Sequence, residues 1–317
     1  MPSWDPSQYL QFADERARPF HDLLARVGAR APRSVVDLGC GPGTLTLDLA
    51  RRWPGAFVTG VDSSPAMIEE ARGRTLDMAA GADGIDRVLP DGTPVAAGPG
   101  GRVEFVLGDL REVELPTDVG VLVSNATLQW VPDHLALLPG WVDRLASGSR
   151  GTGGRSAGEG GWLALQVPGN ADAPEHRAIA DLAQQPRYRA AAAAATERPV
   201  GAGPAEYLAV LARPAGVVVD VWETTYLHVL PGADPVLEWL RGTGARPVLD
   251  ALARVDPDLA LAYREDLRAR LRLTHPRTDV GVVLPFRRVF AVAHRLPGRL
   301  SELAGTPLPS PSPRPTV

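Results

Sequence analysis

Lysine is absent from this chain, and cysteine occurs only once. All 33 Lys and Arg positions are arginine. Glycine (33) and proline (31) are abundant, which is typical of a coding bias, so an arginine here indicates a special role less strongly than usual. The lone Cys40 excludes a disulfide framework and favours a reducing compartment. We therefore expect a cytoplasmic protein.

Long apolar runs are lacking as well. No stretch approaches the roughly 18 apolar residues that a membrane span needs, and the first residues form no basic and apolar leader. The net charge is −4 without an evident basic run, which argues against a nucleic-acid partner. We expect no membrane association, and no obligate protein partner is evident.

Several catalytic patterns are missing too. The six histidines are scattered, without the close pairs typical of a zinc site, so no metal is predicted. Neither Gly-x-Ser-x-Gly nor a phosphate-binding Gly-x-x-x-x-Gly-Lys occurs, which leaves hydrolase and P-loop interpretations without support.

The most informative feature that is present is a glycine-rich turn. A short apolar strand near 34–38 contains Asp37 and is followed by the alternate glycines Gly39, Gly41 and Gly43, after which a helical pattern begins. Glycines let the backbone turn sharply and approach a ligand, and the helix that follows offers unpaired N–H groups. The pattern indicates a turn that cradles a nucleotide. A purely structural turn and other nucleotides remain alternatives.

A second strand supports the nucleotide interpretation. It ends in Asp62, 19 residues after Gly43, where a carboxylate can accept both hydroxyl hydrogens of a ribose. A dinucleotide fingerprint would need its third glycine where the chain has Thr44 or Thr46. The spacing therefore argues against NAD.

Strand and helix patterns alternate along the chain, which predicts an α/β fold with a Rossmann-like, doubly wound, seven-stranded sheet and a helical cap. Strands are predicted near 34–38, 57–61, 102–106, 119–123, 162–167, 216–230 and 280–295. Helices are predicted near 43–53, 64–72, 133–146, 174–195, 204–213, 234–242 and 247–273. One domain of residues 1–300 is expected, with a cofactor-binding part at about 30–167 and the cap and last strands at about 168–295. The glycine-rich stretches 73–101 and 147–161 predict surface insertions, and 301–317 predicts a disordered tail.

Further candidates follow the third and fourth strands, where an open sheet places its ligands. Asp109 could accept the adenine amino group while Leu110 packs on the ring; a turn cap is the alternative for Asp109. Asn125 and Gln129 are predicted to lie close to the reacting atoms. For Trp130, core packing is an equal alternative.

These motifs resemble a known class. The Asp-x-Gly-x-Gly-x-Gly pattern with an acid closing the next strand is similar to that of class I S-adenosylmethionine-dependent methyltransferases. Narrower blocks at 4–12, 125–134 and 239–247 resemble the trans-aconitate 2-methyltransferase family, as do those at 15–19, 60–68, 224–228 and 288–293. The resemblance implies S-adenosylmethionine as cofactor. The predicted cofactor-binding residues are Asp37, Gly39, Gly41, Gly43, Asp62, Ser63, Met67, Asp109, Leu110 and Asn125.

The resemblance also implies a reaction, the esterification of one carboxylate of trans-aconitate. A carboxylate is already ionised at neutral pH, so no general base and hence no catalytic residue is predicted, only positioning by Asn125 and Gln129. A triply anionic substrate needs cationic donors, for which Arg246 and Arg288 are the leading candidates. The full predicted substrate-binding set is Tyr9, Gln129, Trp130, His134, Tyr226, His228, Arg246 and Arg288.

Two other functions remain open at this point. One is methyl transfer to a different small metabolite, and the other is a non-catalytic sensor that binds S-adenosylmethionine. The blocks around Gln129 and Arg246 favour the enzyme, because a sensor has no need of a tricarboxylate pocket.

Overall fold

The computed structural model describes residues 13–80, 85–88, 94–98, 101–148, 159–196 and 201–298. The helices are α1 (Ala13–Leu24), α2 (Thr44–Arg52), α3 (Pro65–Ala80), α4 (Leu138–Arg144), α5 (Pro174–Ala183), α6 (Arg189–Ala192), α7 (Pro204–Leu211), α8 (Pro235–Arg241), α9 (Arg246–Val255) and α10 (Pro257–Thr274). The strands are β1 (Ser34–Leu38), β2 (Phe57–Asp62), β3 (Ile85–Val88), β4 (Pro94–Gly98), β5 (Gly101–Leu107), β6 (Val121–Asn125), β7 (Trp162–Pro168), β8 (Val217–Leu230), β9 (Arg277–Thr278) and β10 (Gly281–Arg295). Short 3₁₀ turns lie at Leu128–Trp130, His134–Ala136 and Ala193–Thr196. The predicted tail and Tyr9 lie outside the described residues.

All described strands belong to one sheet, in the order β3-β4-β5-β2-β1-β6-β7-β10-β8, with β9 paired to β10. Strands β5, β2, β1, β6 and β7 run parallel. Strand β10 is antiparallel to both β7 and β8. The predicted α/β class and the doubly wound sheet are confirmed. The seven predicted strands correspond to β5, β2, β1, β6, β7, β10 and β8, in their order across the sheet.

Alternation along the strands divides the apolar residues between the two faces of the sheet. Val35 belongs to the cluster beneath α1 and α2, whereas Val36 and Leu38 belong to the cluster on the opposite face. A third cluster joins α5, α8, α9 and α10 to the ends of β8 and β10. Helices α5, α8, α9 and α10 therefore pack around a core of their own beside the sheet, whereas α7 packs on the sheet itself.

The predicted insertion at 73–101 is wrong in part. Helix α3 continues to Ala80, and β3 and β4 extend the sheet as antiparallel strands beyond β5. Both strands are short and stand among glycine and proline residues, and strand propensity depends mainly on the neighbours that a strand packs against, so the sequence did not reveal them. In the second stretch, 147–161, the backbone N–H of Gly161 donates to the Ala146 carbonyl oxygen (2.8 Å). This hydrogen bond anchors the end of the stretch to the fold.

Two predicted helices are divided by proline. The helix expected over 247–273 is α9 followed by α10, and the Asp256 side chain caps α10 by accepting from the backbone N–H of Asp258. The helix expected over 174–195 stops at Ala183, shortly before Pro186, and continues as α6 and a 3₁₀ turn. Proline fixes φ and lacks an N–H, so it starts a helix readily but interrupts one.

The ends of two further elements differ from the prediction. The helix expected over 133–146 comprises only α4 and the preceding 3₁₀ turn. The strand expected over 119–123 is β6, two residues later, because the Ser124 hydroxyl donates to the Leu38 carbonyl oxygen (2.8 Å) and is buried in the sheet. The polar residues Ser124 and Asn125 thus belong to β6 and form its carboxyl end.

Helix α1 was not among the predicted elements. Its apolar residues Phe20, Leu23 and Leu24 are buried against the sheet, at the spacing expected for one face of a helix. Arg18 on the same helix is exposed and borders this buried face, with its guanidinium over the Tyr226 ring. Among the described helices, none is long and apolar enough to cross a membrane.

Candidate active site

A cavity of about 350 Å³, called the main cavity below because the glycine-rich turn borders it, lies beyond the carboxyl ends of β1, β2, β5 and β6. A wider cavity of about 620 Å³, lined by Gly169, Glu175 and Arg287, lies elsewhere. Strand order reverses between β1 and β6, which is where open α/β sheets bind their ligands. The volume falls within the range of small-molecule pockets, about 300–1,000 Å³. Most of the predicted cofactor residues line it, namely Gly39, Gly41, Asp62, Ser63, Met67, Asp109, Leu110 and Asn125.

The loop between β1 and α2 needs its glycines for two different reasons. Gly39, Gly41 and Gly43 all have φ between 56° and 81°. A Cβ at Gly39 would lie 2.1 Å from the Thr127 hydroxyl oxygen, whereas a Cβ at Gly41 would meet no atom within 4 Å. Gly39 therefore allows close packing of the loop behind the cavity, and Gly41 leaves open space on the cavity side.

Asp62 is held in place by the backbone of two loops. Its carboxylate oxygens accept N–H hydrogen bonds from Gly41 and Ser64, both at 2.9 Å. Burial raises the pKa of the Asp62 carboxyl, and these donors partly offset the effect. Asp62 lines the cavity, where a carboxylate can accept the hydroxyl hydrogens of a ribose.

Asp37 and Gly43 do not line the cavity. Asp37 is buried behind the loop, where it accepts a hydrogen bond of 2.7 Å from the Thr46 hydroxyl. Burial raises the pKa of Asp37 to about 6, the Thr46 hydrogen bond opposes this shift, and the charge of Asp62 adds to it. The Asp37 carboxylate therefore contacts helix α2, through Thr46, and not the cavity.

This raised pKa predicts a pH-dependent stability difference. Between pH 3.8 and about 6 the unfolded chain releases a proton that folded Asp37 retains, so the wild type loses stability as the pH rises through this window. Asp37→Asn cannot ionise. Its free energy of unfolding should therefore rise relative to wild type by about 2 kcal/mol between pH 4 and pH 7, in denaturant titrations without cofactor.

The matched control is Asp48→Asn. Asp48 lies on α2 and is only partly buried, with Arg51 at 2.6 Å. Its difference from wild type should not rise across the same pH range. A flat profile for Asp37→Asn would show that the carboxyl titrates normally in the folded protein.

Asp109 is paired within the cavity wall. The Arg111 guanidinium donates to both of its carboxylate oxygens, at 3.0 Å and 2.5 Å. Arg111 thereby lowers the pKa of Asp109. Arg111 lines the cavity as well, and the sequence interpretation missed it, although its position two residues after Asp109 is a usable signal.

Asn125 offers a buried acceptor at the edge of the cavity. Its Oδ1 is buried and has no hydrogen-bond partner among the described residues. An orphaned acceptor costs about 1–3 kcal/mol unless a ligand supplies a donor. Together with the open side of Gly41 and the Asp62 carboxylate on the cavity wall, it fits a ligand that carries both hydroxyl and amino or ammonium donors, such as S-adenosylmethionine.

Gln129 lies apart from Asn125. Its amide nitrogen donates to the Ala126 carbonyl oxygen (2.6 Å), and its side chain lines a second cavity of about 170 Å³ with Asn170 and Gly244. Trp130, in contrast, lines the main cavity. Of the two residues predicted to lie close to the reacting atoms, Asn125 lines the main cavity and Gln129 lines the second one.

His134 has both ring nitrogens engaged inside the protein. Nδ1 donates to the Val131 carbonyl oxygen (3.1 Å), so Nε2 is the atom that accepts from the Tyr207 hydroxyl (2.9 Å). Burial lowers the pKa of His134, which favours this neutral tautomer. His134 lines neither cavity and joins the loop after β6 to helix α7.

Tyr226, His228 and Arg288 lie together on β8 and β10. The Tyr226 hydroxyl donates to Asp22 (2.6 Å), and the His228 ring stacks on the Tyr226 ring with centroids 6.1 Å apart. Arg288 is buried and donates to the Gln166 amide oxygen (3.4 Å). Because Gln166 pairs with Asn125 across β7 and β6, this row of polar residues leads along one face of the sheet to the main cavity.

Arg246 begins α9, with its guanidinium 3.6 Å from the Asp250 carboxylate and its side chain 16% exposed. It lines neither the main cavity nor the second one.

Within the described residues, no group of three or more His, Cys, Asp and Glu side chains is placed to hold a metal ion.

Comparison with known proteins places this site in context. Residues 35–148 match a family model described as a methyltransferase domain. The chain is 48% identical to the trans-aconitate 2-methyltransferase of Streptomyces coelicolor, covering 94% of this chain and 88% of that protein. It is 46% identical to the trans-aconitate 2-methyltransferase of Streptomyces avermitilis, covering 93% of this chain and 98% of that protein.

Solved structures are more distant in sequence. Geranyl diphosphate C-methyltransferase from Streptomyces coelicolor A3(2), in complex with Mg²⁺, geranyl diphosphate and S-adenosyl-L-homocysteine, is 15% identical with a TM-score of 0.48. That comparison covers 91% of this chain and 84% of the other.

Proposed function

We infer the function of this chain from the family to which it belongs, the trans-aconitate 2-methyltransferases. The chain is an S-adenosylmethionine-dependent methyltransferase that esterifies a carboxylate of trans-aconitate, giving a monomethyl ester and S-adenosylhomocysteine. The named relatives favour this function over another small acceptor and over a non-catalytic sensor. The site observation that supports it is the cavity at the reversal of strand order, with Asp62 and Asn125 on its walls.

We propose specific roles for the cavity residues. Asp62 accepts the ribose hydroxyl hydrogens, and the N–H donors of Gly41 and Ser64 keep its carboxylate oriented for this. Asp109, fixed by Arg111, accepts from the adenine amino group, and Leu110 packs on the ring. Ser63, Met67, Gly39 and Gly43 shape the remaining walls and the loop. Asp37 acts indirectly, by tying the loop strand to α2 through Thr46.

Methyl transfer needs little acid or base chemistry from the protein. Bound S-adenosylmethionine would supply an electrophilic methyl group to a carboxylate oxygen of the acceptor, with the electron pair of the broken carbon–sulfur bond left on sulfur. Asn125 and Trp130, at the edge of the cavity, orient the acceptor and exclude water. Gln129 contributes from the neighbouring cavity, by fixing the Ala126 carbonyl.

The acceptor carboxylates need cations. Arg288 is the leading candidate, because its guanidinium is buried on the sheet face that leads to Asn125. His228 lies on the same face of the sheet and offers Nε2 as a hydrogen-bond donor, while Tyr226 stacks on its ring. Arg246, His134 and Tyr9 remain predictions from family resemblance. The single cysteine supports the cytoplasm as the compartment of this reaction.

A direct assay tests the function. Purified protein is incubated with S-adenosylmethionine carrying a labelled methyl group and with a panel of small acids, and products are identified by mass spectrometry. We expect one labelled methyl ester of trans-aconitate, in larger amount than from cis-aconitate or isocitrate. No product from any tricarboxylate would overturn the proposed function.

Neither buried histidine should be indispensable. The substrate nucleophile is ionised already, so His134→Gln and His228→Gln should each keep kcat within about a hundredfold of wild type, the lower range of general-base effects. KM for trans-aconitate should rise for His228→Gln. A loss of kcat by about four orders of magnitude with intact substrate binding would mean that a proton is abstracted and that the acceptor is not a carboxylate.

A further inference from the structure

Arg18 lies above the ring of Tyr226 and was not among the predicted site residues. Its guanidinium carbon is 5.2 Å from the ring centroid. From Ala17 onward, where the structure describes the side chains of α1, no carboxylate pairs with Arg18, and the Asp22 carboxylate one turn further along α1 accepts from the Tyr226 hydroxyl (2.6 Å). Arg18 is therefore an exposed cation beside a carboxylate that Tyr226 already engages.

Arg288 approaches the same group of aromatic rings from β10. Its guanidinium carbon is 4.2 Å from the Phe286 ring centroid. Phe286 pairs with Tyr226 across β10 and β8, so their side chains share one face of the sheet. Two guanidinium groups, from α1 and from β10, thus lie over neighbouring rings on that face.

His228 lies between these rings and has a vacant hydrogen-bonding position. Its ring stacks on Tyr226 at 6.1 Å and on Trp239 at 5.2 Å. The ring is 94% buried, with 6% of its surface exposed, and Nε2 has no hydrogen-bond partner among the described residues. A buried nitrogen of this kind is costly unless a ligand completes its hydrogen bond.

The electrostatics of His228 show that both arginine charges reach it. Burial lowers the pKa of His228 to about 4, and the charges of Arg288 and then Arg18 add to this shift. The ring is therefore neutral at physiological pH and can donate one hydrogen bond without a third positive charge. The two positive charges near this ring repel each other, and an anion bound between them would offset that repulsion.

We propose that Arg18 is a substrate-binding residue which, with Arg288, holds the carboxylates of trans-aconitate that are not methylated. This proposal rests on the proposed function. When one carboxylate of the trianion reacts, two negative charges remain, and each needs donors that replace its hydration. Arginine suits this task because its planar fork binds a carboxylate at two points. Arg288 provides a buried contact, and exposed Arg18 provides a contact at the protein surface.

The test compares Arg18→Gln with Arg26→Gln. Arg26 also stacks on an aromatic residue of β8, with its guanidinium carbon 4.8 Å from the Trp222 ring, but Asp220 neutralises it at 2.6 Å. We expect Arg18→Gln to raise KM for trans-aconitate at least about tenfold, the effect of losing one charge-assisted contact, with kcat and S-adenosylhomocysteine affinity within about threefold. Arg18→Lys should recover part of the loss, and Arg26→Gln should match wild type.

Diacids that lack one carboxylate identify the contact. Itaconate, mesaconate and glutaconate each omit a different carboxylate of trans-aconitate, and their inhibition constants are measured on wild type and Arg18→Gln. We expect the variant to weaken two of the three and to leave unchanged the one that lacks the partner of Arg18. Equal losses for all three would overturn a specific contact in favour of a general effect of charge.

The outcomes also separate this proposal from the proposed function. If wild type methylates trans-aconitate and Arg18→Gln has an unchanged KM, the role of Arg18 is overturned and the function stands. If wild type methylates no tricarboxylate, the proposed function fails first. If kcat and KM change together with a lower melting temperature, Arg18 acts on the fold through its contact with Tyr226, and the proposal is overturned.

Discussion

Replacing Asp62 with alanine is expected to weaken S-adenosylhomocysteine binding by about ten- to a hundredfold. The change removes charge-assisted hydrogen bonds of about 1.5–3 kcal/mol to the ribose. It also frees the N–H groups of Gly41 and Ser64 that now bind the carboxylate. Titration calorimetry measures the loss directly.

Two further variants keep this result interpretable. Asp62→Asn preserves the volume and one acceptor oxygen, so its affinity should lie between those of wild type and Asp62→Ala. Asp48→Ala, outside the cavity on α2, should bind like wild type. Circular dichroism confirms folding of each variant, and unchanged affinity in folded Asp62→Ala would refute the ribose assignment.

Replacing Arg288 with lysine should raise KM for trans-aconitate by about ten- to a hundredfold while leaving cofactor affinity within about twofold. Lysine keeps the charge but loses the planar group that lies 4.2 Å above Phe286 and donates to Gln166. Steady-state kinetics with both substrates varied separates the two effects.

Arg287→Lys is the matched control. Arg287 is the preceding residue of β10 and points to the opposite face, where it is exposed and pairs with Glu223 at 2.6 Å. Its kinetics should match wild type. Similar KM changes for both variants would show that the effect comes from disturbing β10 and not from a contact with the substrate.

The parts of the fold that sequence patterns predicted well are local. Strand β1 matches its predicted range at both ends, and β8 and β10 match theirs to within one residue. Each is an apolar run bounded by glycine, proline or charged residues, which limit a strand wherever it packs. The helix boundary at Pro257 was present in the sequence but was not used, and β3 and β4 had no periodic signal of their own.

The residues of the cofactor site likewise divide into those that local sequence patterns located and those that depend on the tertiary structure. Spacing alone located Gly39, Gly41 and Asp62, because a parallel sheet brings the carboxyl ends of its strands to one edge. Arg111 was missed, since its role depends on the direction of its side chain toward Asp109. Arg18 was missed because its helix was not recognised.

The two histidines of the family-like blocks show what the sequence by itself determined and what it could not. It identified the class of the fold, the cofactor loop and the acid that follows it, all of which depend on residues close together in the chain. The tertiary structure decided that His134 meets Tyr207, 73 residues away, and that His228 lies among aromatic rings with Nε2 lacking a partner among the described residues. A side chain's hydrogen-bond partners are set by long-range packing, which leaves no periodic pattern in the sequence.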